Sequence, residues 1–494
     1  MNIPRLVISG LSGGSGKTLL SLGLARAWAR QGLVVQPCKK GPDYIDAAWL
    51  ALAARRAAAN LDPWFLPPEA LRTQFARACG RTAPAELALI EGNRGLYDGR
   101  DVTGSCSTAQ VALTLSAPVL LTLNCAKMTR TAAALVAGIT AFEPDLHVAG
   151  VVLNNVASPR HATQVRQAVE TYTDTRVYGE LPRLSANPLP ERHMGLSLRH
   201  AAPEQDGVLE RLADYAEEHV DLPGLLDLAR NTAPLPDAGT KAPACRNAAD
   251  GEPRPRIGFV RDDALWFYYE ENLEALTEAG AELVELSVLD PAPWPALDGP
   301  DGLDGLYLGG GFPELYAREI AASPHLADIR ALSEAWRPVY AECGGFMILC
   351  RALCGDAGEV PMAGLLPART RFFPRPQGLG YVEAVTVGQN PFHPRGSVWR
   401  GHEFHYSRCE MPSDDPAGFA LRLDPGTGMG RFSESPAEKA QGHDGLCVRN
   451  TFAAYTHVFA PAAPHWALNF AAAARTARTT RDRAKHALPG ETAP

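Results

Sequence analysis

The most constraining feature of the chain is a glycine-rich turn between an apolar strand and a helix near the N-terminus. The run RLVISG is followed by LSGGSGKT and then by the helical segment LLSLGLARAWA. In such a turn, backbone N–H groups and the positive helix end hold phosphates, the lysine reaches the terminal phosphates and the threonine binds magnesium. The turn predicts a nucleotide-binding α/β domain with contacts from Gly13, Gly14, Ser15, Gly16, Lys17 and Thr18.

One position of this turn departs from the usual phosphate-binding pattern. Leu11 stands five residues before Gly16, where the first glycine is expected. This departure, with Gly13 and Gly14, resembles the deviant P-loops of the partition-ATPase and dethiobiotin-synthetase group. Ser12 stands where a partition ATPase carries an extra lysine. The alternative interpretation is a glycine turn that only allows a strand and a helix to pack closely.

Short apolar runs alternate with Ala-rich helical stretches along most of the chain. Alternation of this kind predicts parallel sheets with helices on both faces. Residues 233–255 are rich in Pro, Ala, Gly and charge, and we interpret them as a linker. Since 494 residues exceed what one core supports, we expect two parallel-sheet α/β domains at 1–232 and 256–475, followed by a polar, weakly structured tail at 476–494.

Composition excludes several classes of function. A net charge of −8 gives no basic footprint for nucleic acid. The ten cysteines form no CxxC pair, so neither a zinc knuckle nor a disulfide framework is indicated. The N-terminal sequence lacks a secretory leader pattern, and no 18-residue apolar run occurs. We therefore expect a cytoplasmic protein without nucleic-acid or membrane partners.

Two further clusters suit a nucleotide site. Glu91 ends the apolar run LALIE, and a carboxylate at a strand end beside the phosphate loop can contact magnesium. The segment QPCKKGPDYID brings Lys39, Lys40, Asp43 and Asp46 together after the second strand. Cations there could bind phosphate or carboxylate, and acids could hold metal. A solvated surface turn is the alternative for both clusters.

The second cluster carries a specific resemblance. KKGPDYID, the downstream NLD at 60–62, EGNRGLYDG at 91–99 and PERHMGL at 190–196 resemble the cobyrinic acid a,c-diamide synthase family. That family uses ATP and glutamine to amidate carboxylates of corrin-type or related tetrapyrroles. The resemblance extends over nearly the whole chain except the linker and tail. Where many members continue GPDYID with proline, this chain has Ala47.

The resemblance implies roles for individual residues. Mg-ATP is expected at the P-loop, with Thr18, Asp46 and Glu91 as magnesium ligands. The tetrapyrrole acid is expected near the GPDYID loop, and we assign its binding to Lys39, Lys40, Asp43 and Tyr44.

A second chemical signal lies at VYAECGGFMIL, residues 339–349. An apolar strand, a cysteine, two glycines and a segment of helical spacing, FMILCRALC, predict Cys343 at a strained elbow with its thiol exposed. Gly344 and either Gly310 or Gly311, in the loop GLYLGGGFPEL, could supply N–H groups to an oxyanion. This arrangement is similar to the flavodoxin-like class I glutamine amidotransferase domain, in which the cysteine attacks glutamine and ammonia is released.

A cysteine nucleophile needs a base. We assign this role to His457 in AAYTHVFA, because the amidotransferase fold keeps its histidine at a strand end near the C-terminus. The segment RGHEFHYS carries His402, Glu403 and His405, but HExxH spacing and a third ligand motif are lacking. We interpret it as a structural or substrate-side loop.

Position 459 departs from the family pattern. Class I domains generally have a carboxylate two residues after the histidine, and diamide synthases usually have a second histidine; here the residue is Phe459. A phenyl ring cannot accept the imidazole N–H. The orienting bond is therefore expected from a backbone carbonyl or from another side chain such as Glu403, or it is missing and glutaminase chemistry is weakened.

The resulting hypothesis is ATP- and glutamine-dependent amidation of the a and c acetate carboxylates of cobyrinic acid or a related tetrapyrrole, through an acyl phosphate. Siroheme or nickel-sirohydrochlorin is an alternative substrate for the same chemistry. A noncatalytic P-loop ATPase switch is a second alternative, supported by Phe459. A glutamine-dependent ligase acting on a nucleotide is a third, which the GPDYID and RGHEFHYS contexts disfavour. The sequence leaves the oligomeric state open, with a homodimer as one alternative.

Overall fold

The protein is described from a computed structural model. The described residues are 2–186, 188–189, 203–235, 254–299, 301–355, 358–411, 418–432 and 441–486. The chain divides into two compact units, Met1–Lys241 and Ala242–Pro494. This division falls inside the segment interpreted as a linker, most of which lies outside the described residues, as does PERHMGL.

The N-terminal unit is built on a seven-stranded parallel sheet with the order β3-β2-β4-β1-β5-β6-β7. Its strands are Arg5–Gly10 (β1), Val35–Lys40 (β2), Ala59–Leu61 (β3), Leu87–Glu91 (β4), Val119–Asn124 (β5), Val148–Val156 (β6) and Arg176–Pro182 (β7). The described helices are Lys17–Arg30 (α1), Ile45–Ala54 (α2), Pro68–Gly80 (α3), Thr108–Thr114 (α4), Thr131–Phe142 (α5), Pro159–Tyr172 (α6), Pro203–His219 (α7) and Leu222–Arg230 (α8).

The central strands of this sheet determine where its polar side chains gather. Every residue of β1, β2 and β4 is buried, as expected for strands covered on both faces. Because β4 lies between β1 and β2, their carboxyl ends open on one edge of the sheet. The phosphate loop, the Lys39–Lys40 pair and Glu91 all lie at this edge, where ligands bind in open parallel sheets.

The C-terminal unit contains a larger, mixed sheet. The described strands of the whole unit are Arg256–Val260 (β8), Leu265–Phe267 (β9), Glu282–Leu286 (β10), Gly305–Leu308 (β11), Gly310–Gly311 (β12), Val339–Glu342 (β13), Ala352–Gly355 (β14), Gly358–Pro361 (β15), Arg369–Phe372 (β16), Gly378–Thr386 (β17), Val398–His405 (β18), Ser407–Glu410 (β19), Phe419–Leu423 (β20), Gly430–Phe432 (β21), Gln441–Val448 (β22), Thr451–Ala454 (β23) and His457–Val458 (β24). The described α-helices are Glu270–Glu278 (α9), Ala317–Ala322 (α10), His325–Glu334 (α11), Gly344–Leu349 (α12) and His465–His486 (α13). Short 3₁₀ helices cover Pro313–Tyr316 and Ala460–Ala462.

The expected parallel arrangement forms one half of this sheet. Strands β10, β8, β11, β13 and β23 run parallel in that order. The sheet then continues through β22, β20, β17, β18 and β24, whose pairings are antiparallel. Two smaller sheets, β12-β9 and β15-β14-β16-β19, stand beside it. Separate apolar clusters, around Phe346 and around Trp466, pack in this unit.

Three local predictions differ from the structure. The helix after Cys343 ends at Leu349, and the following ALCG forms β14, so FMILCRALC is not one helix. The segment containing His402 and His405 is the strand β18, which is largely buried, and is not a loop. The C-terminal tail is helical as far as His486. Among the described residues, no helix combines the length and apolar character needed to cross a bilayer.

Candidate active sites

The phosphate loop is held in place by a side chain from another strand. The Nδ2 of Asn154, on β6, donates to the carbonyl of Ser15 at 2.9 Å. A Cβ at Gly16 would lie 2.1 Å from this nitrogen, and Gly16 has a φ of 96°, so the position requires glycine. The Nζ of Lys17 donates to the Ser12 carbonyl at 2.9 Å. Burial lowers the pKa of Lys17, and the charge of Glu91 opposes this shift.

Thr18 and Glu91 meet as the sequence predicts. The Oγ1 of Thr18 donates to Oε1 of Glu91 at 2.8 Å. The second oxygen of Glu91, Oε2, is buried and has no hydrogen-bond partner within the described part of the chain. A hydroxyl beside a carboxylate with a spare buried oxygen suits a magnesium ion, which prefers hard oxygen ligands. This donor set fits the magnesium that the P-loop implies.

Lys39 is engaged differently from the prediction. Its Nζ lies 2.8 Å from Oε1 of Glu91 and 2.7 Å from Oδ2 of Asp46, and the residue is 1% exposed. Although burial favours the neutral amine, Glu91 and Asp46 hold the pKa of Lys39 above its usual value. Its ammonium therefore pairs with the two acids assigned to the metal.

Lys40 is the better candidate for contact with an anionic substrate. It is 5% exposed, and no hydrogen bond or ion pair of its ammonium occurs among the described residues. Burial lowers its pKa, with Asp62 opposing the shift. Because burial disfavours the charged form of Lys40, an incoming carboxylate would stabilise its ammonium.

The remaining residues of the GPDYID loop support its conformation. Oδ1 of Asp43 accepts from the backbone N–H of Asp46 at 3.0 Å, which caps the start of α2. Asn60 donates to the carbonyls of Gly41 and Asp43, so the downstream NLD holds the loop. Tyr44 is buried at the N-terminal boundary of α2. The geometry gives Asp43 a capping role in addition to the substrate role assigned from the resemblance.

In the C-terminal unit, Cys343 lies at a strained turn between β13 and α12. Its φ of 44° and ψ of −98° fall outside the regions that non-glycine residues normally adopt. Its backbone N–H donates to the Ala454 carbonyl of β23 at 2.8 Å, which fixes the turn to the sheet. Gly344 is the first residue of α12, so its N–H has no carbonyl within the helix to bond.

The glycine loop approaches this turn closely. A Cβ at Gly344 would lie 2.8 Å from the backbone nitrogen of Gly311. A Cβ at Gly310 would lie 2.6 Å from Cε1 of His457. A side chain at either position would push the glycine loop away, so glycine is needed for the loop to approach the start of α12 and His457 this closely. The structure thus brings together Gly344, Gly310, Gly311 and the two residues assigned to glutamine chemistry.

Cys343 and His457 lie beside the same stretch of β18. The ring of His402 stacks on the ring of His457, with centroids 4.8 Å apart. Two residues further along β18, the carbonyl of Phe404 lies 3.8 Å from Sγ of Cys343. Residues two apart in a strand are separated by about 7 Å. The thiol and the imidazole therefore lie beside the same short segment of β18, at positions two residues apart.

The prediction of an exposed thiol is wrong: Cys343 is 3% exposed, and its surroundings favour the protonated thiol in the free protein. Burial raises its pKa, and the negative charges of Glu314 and then Glu342 raise it further. A hydrogen bond from the N–H of Gly344 acts in the opposite direction. A base that removes the thiol proton is therefore required.

Glu342 supplies the orienting bond that the sequence seemed to lack at position 459. Its Oε2 lies 3.0 Å from Nδ1 of His457, and both residues are almost completely buried. Its Oε1 accepts from the N–H of Val458 at 3.1 Å and from the hydroxyl of Tyr307 at 3.2 Å. Cys343, His457 and Glu342 therefore have the relation of nucleophile, base and orienting acid.

Of the three alternatives for the orienting bond, a side chain other than residue 459 is the one that the structure shows, but that side chain is Glu342 and not Glu403. Glu403 does not contact His457 in any described hydrogen bond; it accepts from the N–H groups of Thr427 and Gly428 and pairs with His405. The orienting bond is not missing either, because Glu342 makes it. Phe459 is buried with its ring edge-on to Tyr269, at 5.0 Å between centroids.

Glu342 and Asn154 were missed from sequence for the same reason. Each acts on a residue far away in the chain, and only strand pairing brings them together. A signal was present for Glu342: a charged residue inside the apolar run VYAEC is costly to bury without a partner. A buried glutamate needs a hydrogen-bond donor, and the histidines are candidates for that role.

Comparison with known proteins identifies the family of each unit. Residues 6–196 match the CobQ/CobB/MinD/ParA nucleotide binding domain, and residues 256–464 match the CobB/CobQ-like glutamine amidotransferase domain. The chain is 39% identical over 473 residues to the cobyrinate a,c-diamide synthase of Magnetococcus marinus, covering 94% of this chain and 96% of that protein. The enzyme of the same name from Syntrophotalea carbinolica is 42% identical over 412 residues, covering 83% of this chain and 87% of that one.

A third relative of that name, from Archaeoglobus fulgidus, is 38% identical over 463 residues, covering 93% of this chain and 94% of its own. Among solved structures, a glutamine amidotransferase from Thermotoga maritima aligns with 48% of this chain and 93% of its own, at 14% identity and a TM-score of 0.28. That structural likeness is too low to bear on function.

Proposed function

Because this chain belongs to the cobyrinate a,c-diamide synthase family, a group of glutamine-hydrolysing ligases, we propose that it amidates the a and c acetate carboxylates of cobyrinic acid with ATP and glutamine. The single observation that carries this proposal is the Cys343 turn, with glycine N–H groups on one side and the His457–Glu342 pair on the other. A noncatalytic switch would have no need for this arrangement.

The glutaminase half of the reaction follows from these contacts. His457 takes the proton of Cys343, and the thiolate attacks the amide carbon of glutamine. The N–H groups of Gly344 and of Gly310 or Gly311 stabilise the oxyanion. His457 returns the proton to the departing nitrogen, so ammonia leaves and a thioester remains. Water then hydrolyses the thioester to glutamate, while Glu342 keeps the imidazole oriented.

The ligase half belongs to the N-terminal unit. The phosphate loop binds ATP, and Lys17 stabilises negative charge on the transferred phosphoryl group. A substrate carboxylate accepts that group and becomes an acyl phosphate, which ammonia attacks to give an amide and phosphate. Magnesium, when bound, would supply charge neutralisation at the phosphates, and Thr18, Glu91 and Asp46 would hold it.

We assign different roles to Lys39 and Lys40. Lys39 holds Glu91 and Asp46 in place through its two ion pairs. Lys40 receives a carboxylate of the tetrapyrrole, because its ammonium makes no hydrogen bond or ion pair among the described residues and burial lowers its pKa. This assignment replaces the earlier one, in which both lysines bind substrate.

The test is product analysis by mass spectrometry after incubation with ATP, glutamine and one tetrapyrrole at a time. Cobyrinic acid is expected to gain two amides. Amidation of only sirohydrochlorin or siroheme would move the proposal to those substrates, and no product with any of them would contradict it.

Two variants separate the half-reactions. Cys343→Ala should lose glutamine-dependent product and keep product formation with high ammonium. Lys17→Met should lose both. If ammonium does not rescue Cys343→Ala, the assigned division of labour is wrong.

A further inference from the structure

Glu314 stands directly beside the proposed glutaminase site, and the mechanism above does not use it. It lies in the 3₁₀ turn Pro313–Tyr316, three residues after Gly311 on the same segment. A Cβ at Gly344 would lie 3.1 Å from Cδ of Pro313, so the turn packs against the start of α12. The loop that supplies oxyanion donors therefore also places a carboxylate near the nucleophile.

The carboxylate of Glu314 lies in an environment that disfavours its charged form. Its Oε2 is buried, and none of the described residues gives it a hydrogen bond. Burial raises the pKa of Glu314 to about 7. Among charged groups, Glu314 has a larger effect on Cys343 than Glu342 does, although Glu342 is adjacent in sequence. A buried acid with a spare oxygen and no cation is costly to maintain, and such a cost indicates a ligand that carries positive charge.

We propose that Glu314 binds the α-ammonium group of glutamine. This inference rests on the proposed glutaminase function. In glutamine, four bonds separate the amide carbon from the α-nitrogen, a reach of about 5 Å. A carboxylate that binds the ammonium therefore lies several ångströms from the thiol that attacks the amide. Glu314 fits this requirement, since the adjacent Pro313 packs against Gly344, next to Cys343, and Oε2 of Glu314 has no hydrogen-bond partner among the described residues.

Binding of the ammonium to Glu314 would also change the protonation of Cys343. In the free protein the charge of Glu314 disfavours a thiolate at Cys343. Once the ammonium of glutamine pairs with Glu314, that charge is neutralised and the thiolate becomes easier to form. Glutamine would thus promote the deprotonation of the cysteine that attacks it, and the thiol would stay less reactive while no substrate is present.

The experiment compares L-glutamine with glutaramate, the same molecule without its α-amino group. The parent protein should hydrolyse glutamine with the higher kcat/KM. Glu314→Gln should lower kcat/KM for glutamine by about 10- to 100-fold, the loss expected for one charged hydrogen bond. The same substitution should change kcat/KM for glutaramate by less than about threefold, because that substrate has no ammonium to lose.

The matched control is Glu319→Gln, which removes an exposed acid from α10, the helix after this turn. It should leave both values unchanged. Equal losses for both substrates in Glu314→Gln would indicate a structural role, and no loss for glutamine would also overturn the proposal. If the parent hydrolyses neither compound, the glutaminase function fails, and the role of Glu314 fails with it. A parent that hydrolyses glutamine and a Glu314→Gln variant that still prefers it to the same degree refute Glu314 alone.

Discussion

Oε2 of Glu342 lies 3.0 Å from Nδ1 of His457, and Glu342 immediately precedes Cys343 in the chain. The orienting acid is therefore the last residue of β13, and the nucleophile follows it at the turn into α12. In the pattern usual for class I domains, the acid follows the histidine by two residues. Here strand pairing provides the same hydrogen bond from a different part of the chain.

Replacing Glu342 with glutamine should slow glutamine hydrolysis strongly. Glutamine keeps the shape of the side chain but cannot stabilise the imidazolium, so kcat should fall by about 10²- to 10⁴-fold. The KM for glutamine should change little, because Glu342 is buried behind His457. Steady-state kinetics measure both values. A loss in KM alone would contradict the orienting role.

Phe459→Leu should leave the glutaminase nearly intact. The ring of Phe459 packs on Tyr269, and a phenyl ring cannot accept the imidazole N–H of His457. The loss of its ring should lower the free energy of unfolding by about 1–2 kcal/mol. We expect kcat within about threefold of the parent and a lower melting temperature. A large fall in kcat without a change in melting temperature would show that the ring itself supports the base.

Lys39→Met should destabilise the protein in the absence of magnesium. It removes the cation between Glu91 and Asp46, and breaking a buried ion pair costs about 3–5 kcal/mol. Added magnesium and ATP should raise the melting temperature of this variant more than that of the parent. Lys40→Met is the control, since Lys40 makes no ion pair among the described residues; its melting temperature should not fall. Equal losses in both variants would argue against the division between the two lysines.

Lys40→Met should instead raise the KM for the tetrapyrrole. One charge-assisted hydrogen bond corresponds to about 10- to 100-fold in KM. Glutamine hydrolysis without tetrapyrrole measures the other domain and serves as the internal reference. An unchanged KM for the tetrapyrrole would place its carboxylates elsewhere.

Glu314→Gln should stabilise the protein at alkaline pH. The pKa of the carboxyl is about 7 in the folded chain against an ordinary value of 4.5, so the unfolded chain releases this proton at lower pH. As pH rises from about 4.5 to 7, the ionising group therefore lowers stability, by about 3 kcal/mol in total. The variant should melt at a higher temperature than the parent at pH 8, and the difference should shrink as pH falls below 7. A difference that does not depend on pH would rule out the buried carboxylate as its source.

Much of the fold could be predicted because its signals are local. The apolar runs that became β1, β4, β8 and β13 are bounded by turns and alternate with helical segments. The antiparallel half of the second sheet could not be predicted in this way. Its strands pair with partners far along the chain, as when β24 joins β18, and periodicity does not record partners.

The same limit explains the candidate sites. Lys17, Thr18, Glu91 and Cys343 could be selected because each stands at a strand-to-helix junction with its own motif. Lys39 could not be separated from Lys40, because the two differ only in the direction of their side chains from a strand. Successive side chains of a strand point to opposite faces of the sheet. Lys39 therefore points toward Glu91 and Asp46, whereas Lys40 makes no ion pair among the described residues.

The adjacency of Glu342 and Cys343 has a consequence for how such a protein evolves. Recombination within the gene can hardly separate two neighbouring codons, so the nucleophile and its distant support are inherited as one block. The residue two places after the histidine is then not needed to orient the imidazole, and a hydrophobic side chain such as Phe459 is compatible with the site.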